Sequence, residues 1–73
     1  MSAGLVVFTL ADGLPVAVAS RAVVSVLPIV PADGKVVARI VSEHPLGHEE
    51  GFGPVYAVDV LGTVGDVVSA LNA

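Results

Sequence analysis

The chain has 73 residues, of which 55% are hydrophobic, and its three basic and seven acidic residues give a net charge of −4. A chain of this length forms one small domain, residues 1–73, and its low charge excludes a disordered protein. It contains no cysteine, which excludes disulfides and a thiolate zinc site. Its few basic residues exclude the positive surface that binding to nucleic acid requires.

Two short apolar runs flank an Asp-Gly pair near the start of the chain. Residues 5–10 and 15–19 are rich in β-branched side chains, which predicts two strands. Asp12 and Gly13 stand between them, and this pair is typical of a tight hairpin turn, because the turn needs a positive φ. The sequence therefore predicts an antiparallel hairpin here.

The middle of the chain predicts two further strands. Residues 20–22 form a short polar break, which we expect to be one turn of 3₁₀ helix or a bend. Residues 23–27 predict a strand, and Pro28 indicates that this strand lies at an edge of the sheet or has a bulge at its end, because proline cannot donate to a ladder. A second Asp-Gly turn at residues 33–34 leads into a strand at 35–41. In that strand Arg39 shares a face with valines, so we expect that face to be partly in water.

Residues 42–54 differ from the rest of the chain in composition. They contain three glycines, two prolines, both histidines and three of the seven acidic residues. This composition predicts a long acidic, glycine-rich loop with a role in function or with high mobility. Residues 55–60 follow as the last predicted strand.

The apolar spacing becomes helical near residue 64. Four side chains at positions i, i+3, i+4 and i+7 form one face: Val64, Val67, Val68 and Leu71. Thr63 is a candidate N-cap, and Asp66 suits the positive end of the helix dipole. A helix this short is unstable alone, so its valine stripe has to dock on the sheet. The predicted fold is α+β, mainly β: a small curved antiparallel sheet of four to five strands with one C-terminal helix.

This order of elements also resembles a known family. The matching segments are residues 8–16, residues 23–28, the Tyr56-Ala57-Val58 strand and residues 63–71. In them the chain resembles the small FlbD-like proteins of bacterial flagellar operons and similar short phage-encoded proteins. The resemblance implies a small accessory or regulatory protein rather than an enzyme, and it brings no catalytic residues with it.

Residues 43–50 contain the side chains that could bind a metal ion. The candidate ligands are Glu43, His44, His48 and Glu49, with Glu50 beside them. Pro45 and Gly47 separate the two histidines, so a helix that would place both on one face is not expected. The competing interpretation is a solvated acidic loop with no metal and no cofactor. The two histidines also leave a pH-sensitive contact open.

Three residues are candidates for binding a protein partner. Phe52 lies between Gly51 and Gly53, with Tyr56 just beyond. Phe52 could anchor a partner or fold back to cap the small core. Arg21, in the break between strands, could pair with an acidic partner or simply be solvated.

The excess of apolar side chains guides the functional interpretation. Seventeen valines are more than a small core hides, so we expect a homo-oligomer or a protein partner to cover the remainder. The leading hypothesis is a non-enzymatic accessory protein that binds another protein by strand addition or patch burial, for example a phage protein that modulates a host machine. The alternatives are a self-assembling structural homo-oligomer and a metal- or pH-responsive protein that uses residues 43–50.

We expect a cytoplasmic protein that binds neither nucleic acid nor membrane. The most apolar stretch, residues 14–31, contains interior prolines and Arg21, which do not suit a spanning helix.

Overall fold

The fold is α+β and mainly β, as predicted. The structure, a computed structural model, describes residues 4–32 and 34–73, and residues 31 and 32 in their backbone only. The strands within the described residues are β1 (Leu5–Thr9), β2 (Pro15–Ala19), β3 (Val23–Ala32), β4 (Lys35–Ser42), β5 (Gly47–Glu49), β6 (Gly53–Val55) and β7 (Ala57–Leu61). A 3₁₀ turn (Ser20–Ala22) precedes β3, and the helix α1 (Val64–Leu71) follows β7.

The strands form three antiparallel sheets. β1 pairs with β2, β5 pairs with β6, and β4 lies between β3 and β7 in the central sheet. The first hairpin is joined to the central sheet beside β7. Leu10 forms a bridge with Val60, and the Ala11 N–H donates to the Asp59 carbonyl at 3.1 Å. These five strands therefore lie side by side in the order β3-β4-β7-β1-β2.

The core lies on one face of the central sheet. Ala38 and Ile40 point inward from β4, beside Val60 from β7. The first hairpin contributes Phe8 and Val18 to the same cluster, and α1 contributes Val67, so hairpin and helix cover the same face. Side chains alternate between the two faces of a strand, so every second residue of β4 is excluded from this core.

An ion pair marks the opposite face of the central sheet. Arg39 on β4 lies directly across from Asp59 on β7, and its Nε donates to Oδ1 at 2.8 Å. A second hydrogen bond runs from a terminal guanidinium nitrogen to Oδ2 at 3.3 Å. The hydrogen bond to Asp59 and its negative charge raise the pKa of Arg39 above its ordinary value. This arrangement confirms that the Arg39 face is partly in water.

The predicted helix and its cap are confirmed. The Thr63 side chain accepts a hydrogen bond from the Asp66 N–H at 3.0 Å, and the Asp66 carboxylate accepts one from the Thr63 N–H at 3.1 Å. Val67 is buried and Val64 is half-buried against the core. The prediction was wrong for Val68, which is 40% exposed, because the helix docks on the core through Val67, Val64, Ala70 and Leu71 instead.

Strand β3 is longer than the sequence predicted. It continues through Pro28 to Ala32, although residues 23–27 were expected to complete it. β3 lies at the edge of the central sheet and has β4 as its only neighbour among the described strands. A proline is tolerated in an edge strand when its missing N–H would have faced away from the ladder. The Asp-Gly turn predicted after β3 includes Asp33, which lies outside the described residues.

Residues 42–54 are not a long loop. β5 and β6 pair within this segment as a second hairpin, and the expected strand 55–60 is interrupted at Tyr56. The sequence suggested a loop because glycine, proline and charged residues are depleted in strands. Within the described residues, no helix has both the length and the apolar character needed to cross a bilayer.

Candidate protein-binding surfaces

A hairpin arm extends the central sheet beyond β4 and β7. We define the arm as residues 43–55, which includes β5 and β6. At its root the Ser42 N–H donates to the Tyr56 carbonyl at 2.8 Å, and the Leu46 N–H donates to the Val55 carbonyl. Leu46 is half-buried against the core. The root is therefore anchored by backbone hydrogen bonds and one apolar side chain.

The tip of the arm presents a bare aromatic ring. The Phe52 N–H donates to the Glu49 carbonyl at 3.0 Å and closes a four-residue turn. Gly51 is the third residue of this turn and has φ = 86°, a conformation that other residues adopt only with strain. Phe52 is 83% exposed, so the alternative in which it caps the core is wrong.

Tyr56 lies at the root of the arm rather than at its tip. It separates β6 from β7 along the chain and is 46% exposed. Its carbonyl is bonded to the Ser42 N–H, so its backbone helps to attach the arm. Phe52 and Tyr56, which are both candidates for binding a partner, therefore lie at opposite ends of the arm.

The charged side chains of the arm are exposed and dispersed. His44 Nε2 lies 3.8 Å from Glu43 Oε1, and both side chains are mostly in solvent. Glu49 and Glu50 are exposed beside Phe52 at the tip. In the described part of the chain, no three histidine or acidic residues come close enough together to hold a metal ion. The four candidate ligands therefore do not form a metal site in this structure.

Arg21 lines an open groove on another part of the surface. The groove has a volume of about 510 Å³ and runs between the first half of β3 and the end of α1. Its apolar lining includes Val24, Val68 and Leu71. The Arg21 side chain makes no hydrogen bond or ion pair with any described residue, whereas Lys35 donates to the Ala11 carbonyl and Arg39 is paired. The groove thus combines apolar and polar side chains with a cation that has no bonded partner among the described residues.

The sequence did not predict the apolar side of this groove. A register shift between Val23 and Ser25 displaces β3 from regular pairing with β4, and Val24 is left exposed. The adjacent valines at 23 and 24 carried a signal, since neighbouring strand residues point to opposite faces. Val68 was assigned to the docked helical stripe and instead lines the groove.

A second apolar surface lies on the outside of the first hairpin. Leu5 and Val7 point away from the core side chains of β1, and each is 67% exposed. Their cross-strand partners on β2 are Ala19 and Ala17. This surface was not assigned to a site in the sequence, although the excess of valines predicted exposed apolar area.

Comparison with known proteins found no relative of this chain. No family model, no curated protein and no solved structure matches the chain. The resemblance to FlbD-like proteins stays a prediction from the sequence pattern.

Proposed function

We propose that the chain is a non-enzymatic accessory protein that acts by binding another protein through the arm. The observation that supports this most directly is Phe52, which is exposed at the end of an arm anchored at its root. Large aromatic side chains dominate the energy of many interfaces when they enter a partner pocket. Exposure of such a ring to water is unfavourable, so a partner that covers it gains the free energy of its burial.

The arrangement of the polar groups favours binding over catalysis. The acidic and histidine side chains of the arm are exposed, and catalytic groups need positions held within a fraction of an ångström. A cytoplasmic role in a bacterial or phage setting is part of the proposal, and it is based on the sequence resemblance alone.

Affinity capture with the tagged full-length chain tests the proposal. We expect Phe52→Ala to lose the captured partner, because the substitution removes the ring and leaves the backbone of the turn intact. The matched control is Leu5→Thr/Val7→Thr, which removes exposed apolar side chains from the first hairpin and should retain the partner. Equal capture by Phe52→Ala and the unmodified chain would contradict the proposal.

A self-assembling structural protein is the second candidate. Leu5 and Val7 are exposed, and their cross-strand neighbours on β2 are alanines. Together they form an apolar strip that a second copy could cover. Sedimentation of the Leu5→Thr/Val7→Thr variant tests this candidate, with a fall in mass expected. A purified chain that is monomeric at every concentration would exclude it.

A further inference from the structure

We propose that the arm and the Arg21 groove are the two halves of one interface, and that the occupant of the groove is the arm tip of a second copy of this chain. The inference rests on the proposed function, because it names the partner of the same arm. Phe52 would enter the apolar part of the groove, and the glutamates at the tip would pair with Arg21.

The arm tip and the groove carry opposite charges. Each copy carries a net charge of −4, so two copies repel unless their contact joins opposite charges. Arg21 is the one Lys or Arg side chain without a hydrogen bond or ion pair to any described residue. Glu49 and Glu50 are exposed beside Phe52. A second copy therefore supplies the acidic groups that Arg21 lacks.

The arm tip and the groove also both present apolar side chains. The tip presents a single large ring, and the groove presents Val24, Val68 and Leu71 with Arg21 at its border. The groove is open, and Ser20, Ser25 and Asn72 also line it, so the ring would pack on the apolar side chains without being fully enclosed. The same tip thus carries an apolar anchor and negative charge, and the same groove carries their complements.

The position of the root makes the contact reciprocal. The Glu43 N–H donates to the Ala22 carbonyl at 2.9 Å, so the root of the arm lies beside the 3₁₀ turn that carries Arg21. At ~3.3 Å per residue, the segment from Glu43 to Glu50 spans at most ~23 Å. Two copies related by a two-fold axis can therefore exchange arms, each tip in the groove of the other. The expected assembly is a closed dimer with two identical contacts.

Sedimentation of the purified full-length chain over a series of concentrations is the first test. We expect the mass to rise from one 7.3 kDa chain to two. Phe52→Ala should weaken the dimer about 30-fold or more, the effect typical of a central anchor. Arg21→Glu should weaken it about tenfold, because each of the two contacts exchanges an exposed ion pair for repulsion between like charges. The control Leu5→Thr/Val7→Thr should leave the dissociation constant unchanged. All of these positions are exposed, and circular dichroism confirms that each variant is folded.

Mixing two variants gives the sharper test. Arg21→Glu alone places acid against acid in both contacts of its homodimer, and Glu49→Arg/Glu50→Arg alone places base against base. In a mixture, a heterodimer restores opposite charges at both contacts. We expect each variant to be monomeric alone and the equimolar mixture to form dimers.

Three results would overturn the inference: a monomer at all concentrations, a dimer unaffected by Arg21→Glu, or a mixture that stays monomeric while both variants are folded. Other outcomes would overturn the proposed function, and they can be told apart from these three. If the chain is monomeric but captures a different protein through Phe52, the second-copy inference is wrong and protein binding by the arm stands. If Phe52→Ala changes neither capture nor mass, both are wrong.

Discussion

Thr63 and Asp66 show how two residues begin a helix that has few other local advantages. The capping box satisfies two N–H groups at a terminus that carries valine and glycine in its first turn. Both residue types are weak helix formers. The cap therefore supplies stabilisation that the low helix propensity of the first turn does not provide.

We expect Thr63→Ala to lower the free energy of unfolding by about 1 kcal/mol, because the Asp66 N–H loses its acceptor. Urea titration followed by circular dichroism measures the change. Ser69→Ala is the matched control, since Ser69 is exposed on the same helix, and it should change stability by less than about 0.5 kcal/mol. Equal effects of the two substitutions would contradict the assigned role of the cap.

Gly13 illustrates a residue that is needed for its backbone conformation alone. Its φ is 96°, and a Cβ added there would meet no atom within 4 Å. Gly47 is also free of neighbours within 4 Å, but its φ is not in the left-handed region. Neither position is crowded, so a difference between them reports the backbone strain at positive φ alone.

Gly13→Ala should destabilise the protein by about 1 kcal/mol, the order of the cost that a side chain adds at positive φ. Gly47→Ala should have little effect or stabilise slightly. Thermal unfolding of both variants checks the prediction, and a Gly47→Ala variant that is as unstable as Gly13→Ala would contradict it.

At the scale of elements, α1 attaches to the sheet through a narrow contact. Val67 is buried among residues of the sheet and hairpin, whereas the next residue, Val68, faces the groove. Two adjacent valines on one helix thus have different environments. The helix docks through the first and leaves the second at the surface.

Val67→Ala should therefore cost about 2 kcal/mol, from lost burial and the small cavity that remains. Val68→Ala should cost less than half as much. Both substitutions raise the intrinsic helix propensity, so the difference between them reports packing alone. Urea titration of the pair measures it, and equal losses would show that both valines dock.

The edge strand β3 shows a different relation between sequence and structure. Pro28 predicted an edge or a bulge at the end of this strand, and β3 does lie at the edge of the central sheet, next to β4. In an edge strand such a proline protects the free backbone from pairing with another chain. The proline thus indicated the edge position, whereas the length of β3 beyond Pro28 depends on its pairing with β4, which is distant in the sequence.

The whole molecule is flat and has more surface than a compact chain of its size. Its extents are 36 × 32 × 19 Å, and its accessible surface is 4708 Å², compared with ~4,200 Å² expected for a 7.3 kDa globule. The extended arm and the exposed face of the first hairpin account for this shape. The composition predicted that apolar area would remain exposed, and the structure confirms it.

This shape predicts uneven protection of backbone amides. The arm is held by two three-residue strands whose side chains are mostly exposed, while β4 is paired on both sides. We expect amides at the arm tip, including Phe52, to exchange with solvent at least tenfold faster than those of buried β4 residues such as Ile40. Hydrogen exchange measured by NMR at concentrations where the chain is monomeric checks this. Equal protection would mean that arm and sheet open as one unit.

Local signals in the sequence were enough to locate β2, the 3₁₀ turn Ser20–Ala22 and the helix with its cap. Those features depend on interactions within a few residues, such as a proline at the first strand position or a threonine that accepts from the third N–H of a helix. Local signals could not decide four other features: whether Phe52 is exposed or caps the core, the strand pairing within residues 42–54, the extension of β3 beyond Pro28, and the exposure of Val68. Each depends on which distant segment packs alongside, because backbone pairing and burial are set by residues far apart in the chain.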